Sequence, residues 1–201
     1  MKKIMFNDSY GLTKAVLEGR KTMTRRVIKA PRTMEGKDVY GYSVVKYPRT
    51  GVPIEVMALD ADGAQINIIM PKFKVGDVVA VAQNYEDAGI DAATLLSVNR
   101  KWVTACGTPG WRNKMFVSAD YMNNFIRITN VRVERLQDIS DEDCLREGIR
   151  KMTFDTFSFD SWKFFARSPR EAFAALIARV SGKGIWDRNP WVFVYEFELV
   201  K

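Results

Sequence analysis

The sequence predicts an α+β fold: a small, mostly antiparallel β-barrel with flanking helices and large insertions. Three observations lead there. Segments of strand character outnumber those with helical periodicity. They are separated by turn clusters and irregular stretches, without the βαβ rhythm that builds a parallel sheet. The closing segment Trp191–Val200 alternates cleanly, with Trp191, Phe193, Tyr195, Phe197 and Leu199 on one face. All 201 residues are assigned to one domain, 1–201, with insertions at about 30–72, 87–122 and 150–185.

The elements follow in chain order. Asn7, Asp8 and Ser9 are candidate N-caps for a helix carrying Leu12, Val16 and Leu17, and Gly19 stops it. An extended segment runs from Thr22 to Ile28, and Pro31 closes it. Residues 39–46 and 54–70 read as β structure, with Asp60-Ala-Asp-Gly63 turning the chain between Ile54–Leu59 and Gln65–Met70. The turn Phe73–Asp77 launches an apolar strand, Val78–Ala82. Residues 87–118 contain Gly89, Gly107, Pro109 and Gly110 with little periodicity, which predicts a long loop. Alternation returns in Phe125–Arg135, with Ile126, Ile128 and Val131 inward.

Ser140-Asp-Glu-Asp143 is a capping box for a short helix that ends before Gly148. Ser168-Pro-Arg-Glu171 opens a second, with Pro169 at the first helical position. Phe173, Leu176, Ile177 and Val180 then recur at helical spacing until Gly182. Asn189-Pro190 introduces the final strand, where Glu196 and Glu198 share the second face with Val192, Val194 and Val200.

Composition removes whole classes of chemistry. The chain has no histidine, which excludes Ser-His-Asp and Cys-His catalysis and histidine-containing zinc sites. Cys106 and Cys144 form no CxxC pair and read as free thiols. No apolar run follows Lys2 and Lys3, and none approaches the roughly 20 residues of a membrane span. The expectation is a cytoplasmic protein without a membrane partner. No glycine-rich phosphate loop is present, and neither a cofactor nor a metal is expected.

The net charge of +7 is concentrated. Lys14, Arg20, Lys21, Arg25, Arg26, Lys29 and Arg32 face only Glu18 in residues 14–32, an electrostatic footprint suited to phosphate. Within it, Lys21 is an amine among cations that lower its pKa, and Thr24 offers a hydroxyl for such an amine to deprotonate. Residues three apart on a strand point to opposite faces. The two therefore cooperate only if Lys21 belongs to the irregular exit from the helix. Taken alone, the constellation also describes a basic strand edge whose threonines serve strand propensity.

The segment Gly19-Arg-Lys21-Thr-Met-Thr24-Arg-Arg26 resembles the signature of ASCH domains, β-barrel relatives of the PUA RNA-binding fold. Val75-Gly-Asp77, Val133–Ser140 with Glu147-Gly148, and Trp186–Trp191 with Tyr195-Glu-Phe197 resemble three further landmarks, the last typical of phage- and prophage-associated members. The resemblance implies a PUA-like barrel. Through the small bacterial amidohydrolases that deacetylate N-acetylcytidine, it also implies Thr24 as nucleophile, Lys21 as its base and Glu147 as proton carrier. Longer relatives carry Val-Arg-Glu-Thr-Trp where this chain has Val81-Ala-Gln-Asn-Tyr85, so Tyr85 keeps an aromatic face for stacking a base.

Arg20, Arg25 and Arg26 are candidate phosphate or oxyanion contacts. Trp102, Trp111 and Tyr121 interleave with Arg100, Lys101, Arg112 and Lys114, a pattern that suits RNA or core packing alike. Three functions remain open: an amidohydrolase acting on a modified nucleoside or a base in RNA, a non-catalytic RNA-binding module, and a metal-independent ribonuclease.

Overall fold

The computed structural model describes residues 1–51, 53–91, 109–159 and 164–200. Its strands are β1 (Lys3–Ile4), β2 (Met23–Val27), β3 (Thr33–Met34), β4 (Lys37–Asp38), β5 (Gly41–Lys46), β6 (Pro53–Leu59), β7 (Gln65–Ile68), β8 (Val78–Val81), β9 (Phe125–Arg135), β10 (Arg150–Thr153), β11 (Thr156–Ser158) and β12 (Trp191–Val200). The helices are α1 (Leu12–Leu17), α2 (Pro109–Arg112), α3 (Asp141–Arg146), α4 (Pro169–Ser181) and α5 (Ile185–Arg188).

The fold is mixed α+β with mostly antiparallel sheets. The principal sheet has the order β1-β8-β9-β12-β2, in which only β1 and β8 run parallel. A three-stranded sheet, β5-β6-β7, and two hairpins, β3-β4 and β10-β11, complete it. No strand pairing among the described residues joins β1 to β2. A side chain links the two end strands instead: Arg26 Nη2, on β2, donates to Met5 O, just after β1, at 2.6 Å. No helix among the described residues is long and apolar enough to cross a membrane.

Strand β12 lies inside the principal sheet, between β9 and the edge strand β2. Its aromatic face packs as the alternation predicts, Phe197 against Phe6 and Tyr195 against Phe73. Val192 and Val194 on the other face are fully buried too, so this strand is covered on both sides. Helix α4 starts where its capping box places it: Ser168 Oγ accepts from Glu171 N at 3.1 Å. It buries Phe173, Leu176 and Ile177, each contributing about 1.5–3 kcal/mol.

One boundary differs from the expectation. Helix α1 has no side-chain N-cap; its cap is Gly11 in the left-handed region, at φ 64°. Asp8 instead accepts from Thr13 Oγ1 (2.5 Å) and Lys114 Nζ (2.7 Å), tying the segment after α2 to the chain's beginning. A distant lysine competes for the carboxylate, which spacing along the chain does not reveal.

Candidate functional site

Two helix ends make the site. Helix α1 stops in a Schellman turn: Gly19 N donates to Val16 O and Arg20 N to Ala15 O, both at 2.9 Å, with Gly19 at φ 72°. Helix α3 stops the same way, Gly148 N donating to Leu145 O (2.9 Å) and Ile149 N to Cys144 O (3.3 Å). A bond from Thr22 N to Arg146 O, at 2.9 Å, locks one turn to the other. Lys21 thus lies in the irregular exit, its own N–H still bonded to Ala15 O, and the strand begins only at Met23. That meets the geometric condition for Lys21 and Thr24 to cooperate.

The docked turns aim Lys21 at the end of α3. Its Nζ donates to Glu147 Oε2 at 2.5 Å and to Glu147 O at 2.7 Å. Lys21 is 2% exposed and Glu147 4%, so the pair is almost dry. Burial pushes the Lys21 amine below its ordinary range; Glu147 opposes that push, and the Arg26 and Arg25 charges reinforce it. The carboxylate also accepts from Arg25 Nη1 at 3.2 Å.

Arg25 is committed elsewhere as well. Its Nε donates to Glu134 Oε1 and its Nη2 to Asp143 Oδ2, both at 2.8 Å. Burial alone would lower its pKa, but Glu147 and Glu134 outweigh that and raise it. Arg132 extends the network to Glu134, Asp143 and Glu196, and Arg146 closes it on Glu196 at 2.8 Å. With its donors on three carboxylates, Arg25 braces Glu147 where the sequence suggested a phosphate or oxyanion contact. The alternation in Val131–Arg135 places Arg132 and Glu134 on one face, which was the legible signal. Asp143, read only as part of a capping box, gave none for this role.

A cleft of about 710 Å³ opens beside the pair, between the free edge of β2 and the flank of α4. Lys21, Thr24, Arg25, Arg26 and Glu147 all line it. Phe197 N donates to Thr22 O and Ile28 N to Trp191 O. By antiparallel alternation, the backbone groups of Thr24 and Arg26 therefore face β12, and those of Arg25 and Val27, which line the cleft, face the free edge. Phe6 forms part of the wall, with Lys21 Nζ and the Arg26 guanidinium 5.7 and 5.8 Å from its ring centre.

The other anticipated contacts lie elsewhere. Arg20 folds back on Glu18, Nε to Oε2 at 2.8 Å, beside a shallow depression that it lines with Lys14 and Arg150. The Tyr85 ring is 7% exposed and packs edge-on against Trp111 (5.6 Å) and Tyr121 (5.9 Å), in a satellite core with Val117 and Met122. Neither Tyr85 nor Trp111 lines the cleft. Lys114 is bound to Asp8 and Thr13. Arg100, Lys101, Trp102, Cys106 and the Arg112 side chain lie outside the described residues.

The arrangement supplies an amine inclined to lose its proton, a hydroxyl in the same cleft, a carboxylate bonded to the amine, and main-chain donors along one wall. Such a set can accept a proton, attack a carbonyl and stabilise the resulting oxyanion. Comparison with protein-family models, with curated proteins and with solved structures returns no significant match. The chemistry rests on the geometry of the cleft.

Proposed function

We propose that this protein is a hydrolase of acylated cytidine, as the free nucleoside or as a modified base in RNA. The observation that carries the proposal is the Lys21–Glu147 pair, dry and bonded at 2.5 Å, sharing its cleft with Thr24. Thr24 Oγ1 attacks the amide carbonyl while the Lys21 amine takes the hydroxyl proton. The oxyanion is met by the cleft-facing N–H groups of β2 and by the Arg26 guanidinium. As the C–N bond breaks, Lys21 and Glu147 pass the proton to the departing amine, leaving an ester on Thr24. Water, deprotonated by Lys21, cleaves that ester and releases the acid, and Thr24 regains its proton. Every proton transfer has a residue, so the reaction needs neither histidine nor cofactor.

In this proposal the principal sheet is the core of an ASCH-type, PUA-like barrel, and the protein works in the cytoplasm. The bridge from Arg26 to Met5 across the sheet ends supports that fold. The test is incubation of the purified protein with N-acetylcytidine and a chelator, following cytidine and acetate by chromatography. Expected is turnover that Lys21→Ala and Thr24→Ala each abolish. A folded wild-type protein that leaves the amide intact, yet binds RNA in a salt-dependent manner, would instead be a binding module. Chelator-resistant shortening of labelled RNA would indicate a ribonuclease.

A further inference from the structure

We infer that the cleft continues into a phosphate-binding subsite, so that the substrate is a cytidine nucleotide. This rests on the reading of the first cleft as a nucleoside site. A second cavity, of about 480 Å³, shares Met5, Arg26, Val27 and Lys29 with the first. Four cations line it, Lys3, Arg26, Lys29 and Lys72, and no carboxylate does. None of the four takes part in an ion pair among the described residues.

Their donors are only partly used. Lys3 spends its ammonium on the carbonyls of Lys114, Met115 and Val117. Arg26 gives one nitrogen to Met5 O, leaving the rest of its fork at the wall common to both cavities. The Lys72 ammonium lies over the Phe73 ring, 5.3 Å from its centre, and both Lys72 and Lys29 are exposed. Burial lowers the Arg26 pKa, and Glu147, the carboxylate that opposes that shift, already serves Lys21 and Arg25.

Like charges gathered without a counter-ion repel, and partial burial sharpens that repulsion at Lys3 and Arg26. The Lys3 amine shows it, lowered by burial and then by Lys72. An anion at the centre relieves the strain. Phosphate fits better than a carboxylate because it offers several oxygens to donors converging from β2 and from the segments after β2 and β7, with Lys3 adding its charge. The floor is apolar and aromatic, with Ile4, Ile69, Phe73 and Phe193, which suits the sugar or flat base that accompanies a phosphate. Arg26 is the hinge of the arrangement: a nucleoside in the first cavity places its phosphate past that guanidinium.

The test is calorimetric titration of the full chain with cytidine, cytidine 3′-monophosphate, cytidine 5′-monophosphate and a short oligocytidylate. Wild type is compared with the double variants Lys29→Ala/Lys72→Ala and Lys29→Arg/Lys72→Arg, after their melting temperatures are shown to match. At least one phosphorylated ligand should bind wild type about tenfold tighter than cytidine, a difference of about 1.4 kcal/mol. The alanine pair should erase that advantage and the arginine pair should keep it. A further gain with the oligonucleotide assigns the phosphate to a polynucleotide; equal affinity assigns it to a mononucleotide.

Equal binding of cytidine and its phosphates, no binding of any phosphorylated ligand, or an advantage that survives the alanine pair would overturn the subsite. Turnover of N-acetylcytidine without a phosphate advantage removes the subsite alone. A phosphate advantage without turnover removes the hydrolase alone.

Discussion

Replacing Glu147 with glutamine keeps the shape of the side chain and removes its charge. At 2.5 Å and an effective dielectric constant of about 20, the gross attraction between Lys21 and Glu147 is roughly 6–7 kcal/mol. Most of that offsets the desolvation of two buried charges, and breaking one partner of such a pair costs about 3–5 kcal/mol net. The lower end is expected here, for three reasons. Glutamine keeps one oxygen to accept from Lys21, Lys21 can shed its proton, and Arg25 stays tied to Glu134 and Asp143. The amide NH₂ must still confront either Arg25 or Lys21, donor against donor.

A loss of about 3 kcal/mol, with a urea slope of about 2 kcal/mol per molar, lowers the unfolding midpoint by about 1.5 M. The loss should also depend on pH. Burial holds the folded-state pKa of Lys21 below its ordinary 10.5. Between the folded value and 10.5 the unfolded chain binds the extra proton, so wild-type stability from this group rises with pH across that window. Once Lys21 is neutral it no longer needs the carboxylate, and the Glu147→Gln penalty shrinks. Urea unfolding at several pH values, with Lys21→Met completing a double-mutant cycle, measures both effects. A penalty under about 0.5 kcal/mol with no coupling to Lys21 would refute the claim that the pair is desolvated.

The remaining predictions concern the elements that hold the cleft. Gly148→Ala should lower stability by about 1–3 kcal/mol, since Gly148 sits at φ +106° with Leu12 and Lys21 within 3.6 Å of a new Cβ; thermal melting and N-acetylcytidine turnover should fall together. Ser168→Ala removes the cap of α4 and should cost about 1 kcal/mol by urea unfolding, whereas Ser168→Gly should cost less. Gly110→Ala puts a Cβ 2.1 Å from the Tyr85 ring, so near-UV circular dichroism from the Tyr85–Trp111–Tyr121 cluster should change. In a Cys106→Ser background, Cys144 should resist thiol reagents at pH 8 until the chain unfolds, because burial pushes its pKa up to about 12. Rapid labelling of the folded protein would contradict that.

Much of the architecture was legible because it is local. The alternation in Trp191–Val200 and Phe125–Arg135 fixes which side chains share a face, and the boxes at Ser140 and Ser168 set two helix starts through a hydroxyl and an N–H three residues apart. Gly19 and Gly148 announce two left-handed helix ends. Family resemblance, rather than periodicity, singled out Glu147 beside Lys21 and Thr24.

What the chain could not disclose along its length is how groups far apart in sequence divide their bonds. The run of cations around Arg25 suggested an external anion. Only the register of β2 against β12, and of β12 against β9, shows that it turns inward to Glu134, Asp143 and Glu147, while its neighbour Arg26 faces the cavities. Tyr85 looked like a stacking platform until packing enclosed it with Trp111 and Tyr121. Propensity and capping act over a few residues and are written in the sequence. Charge pairing and burial depend on which surfaces meet, and only the folded chain decides that.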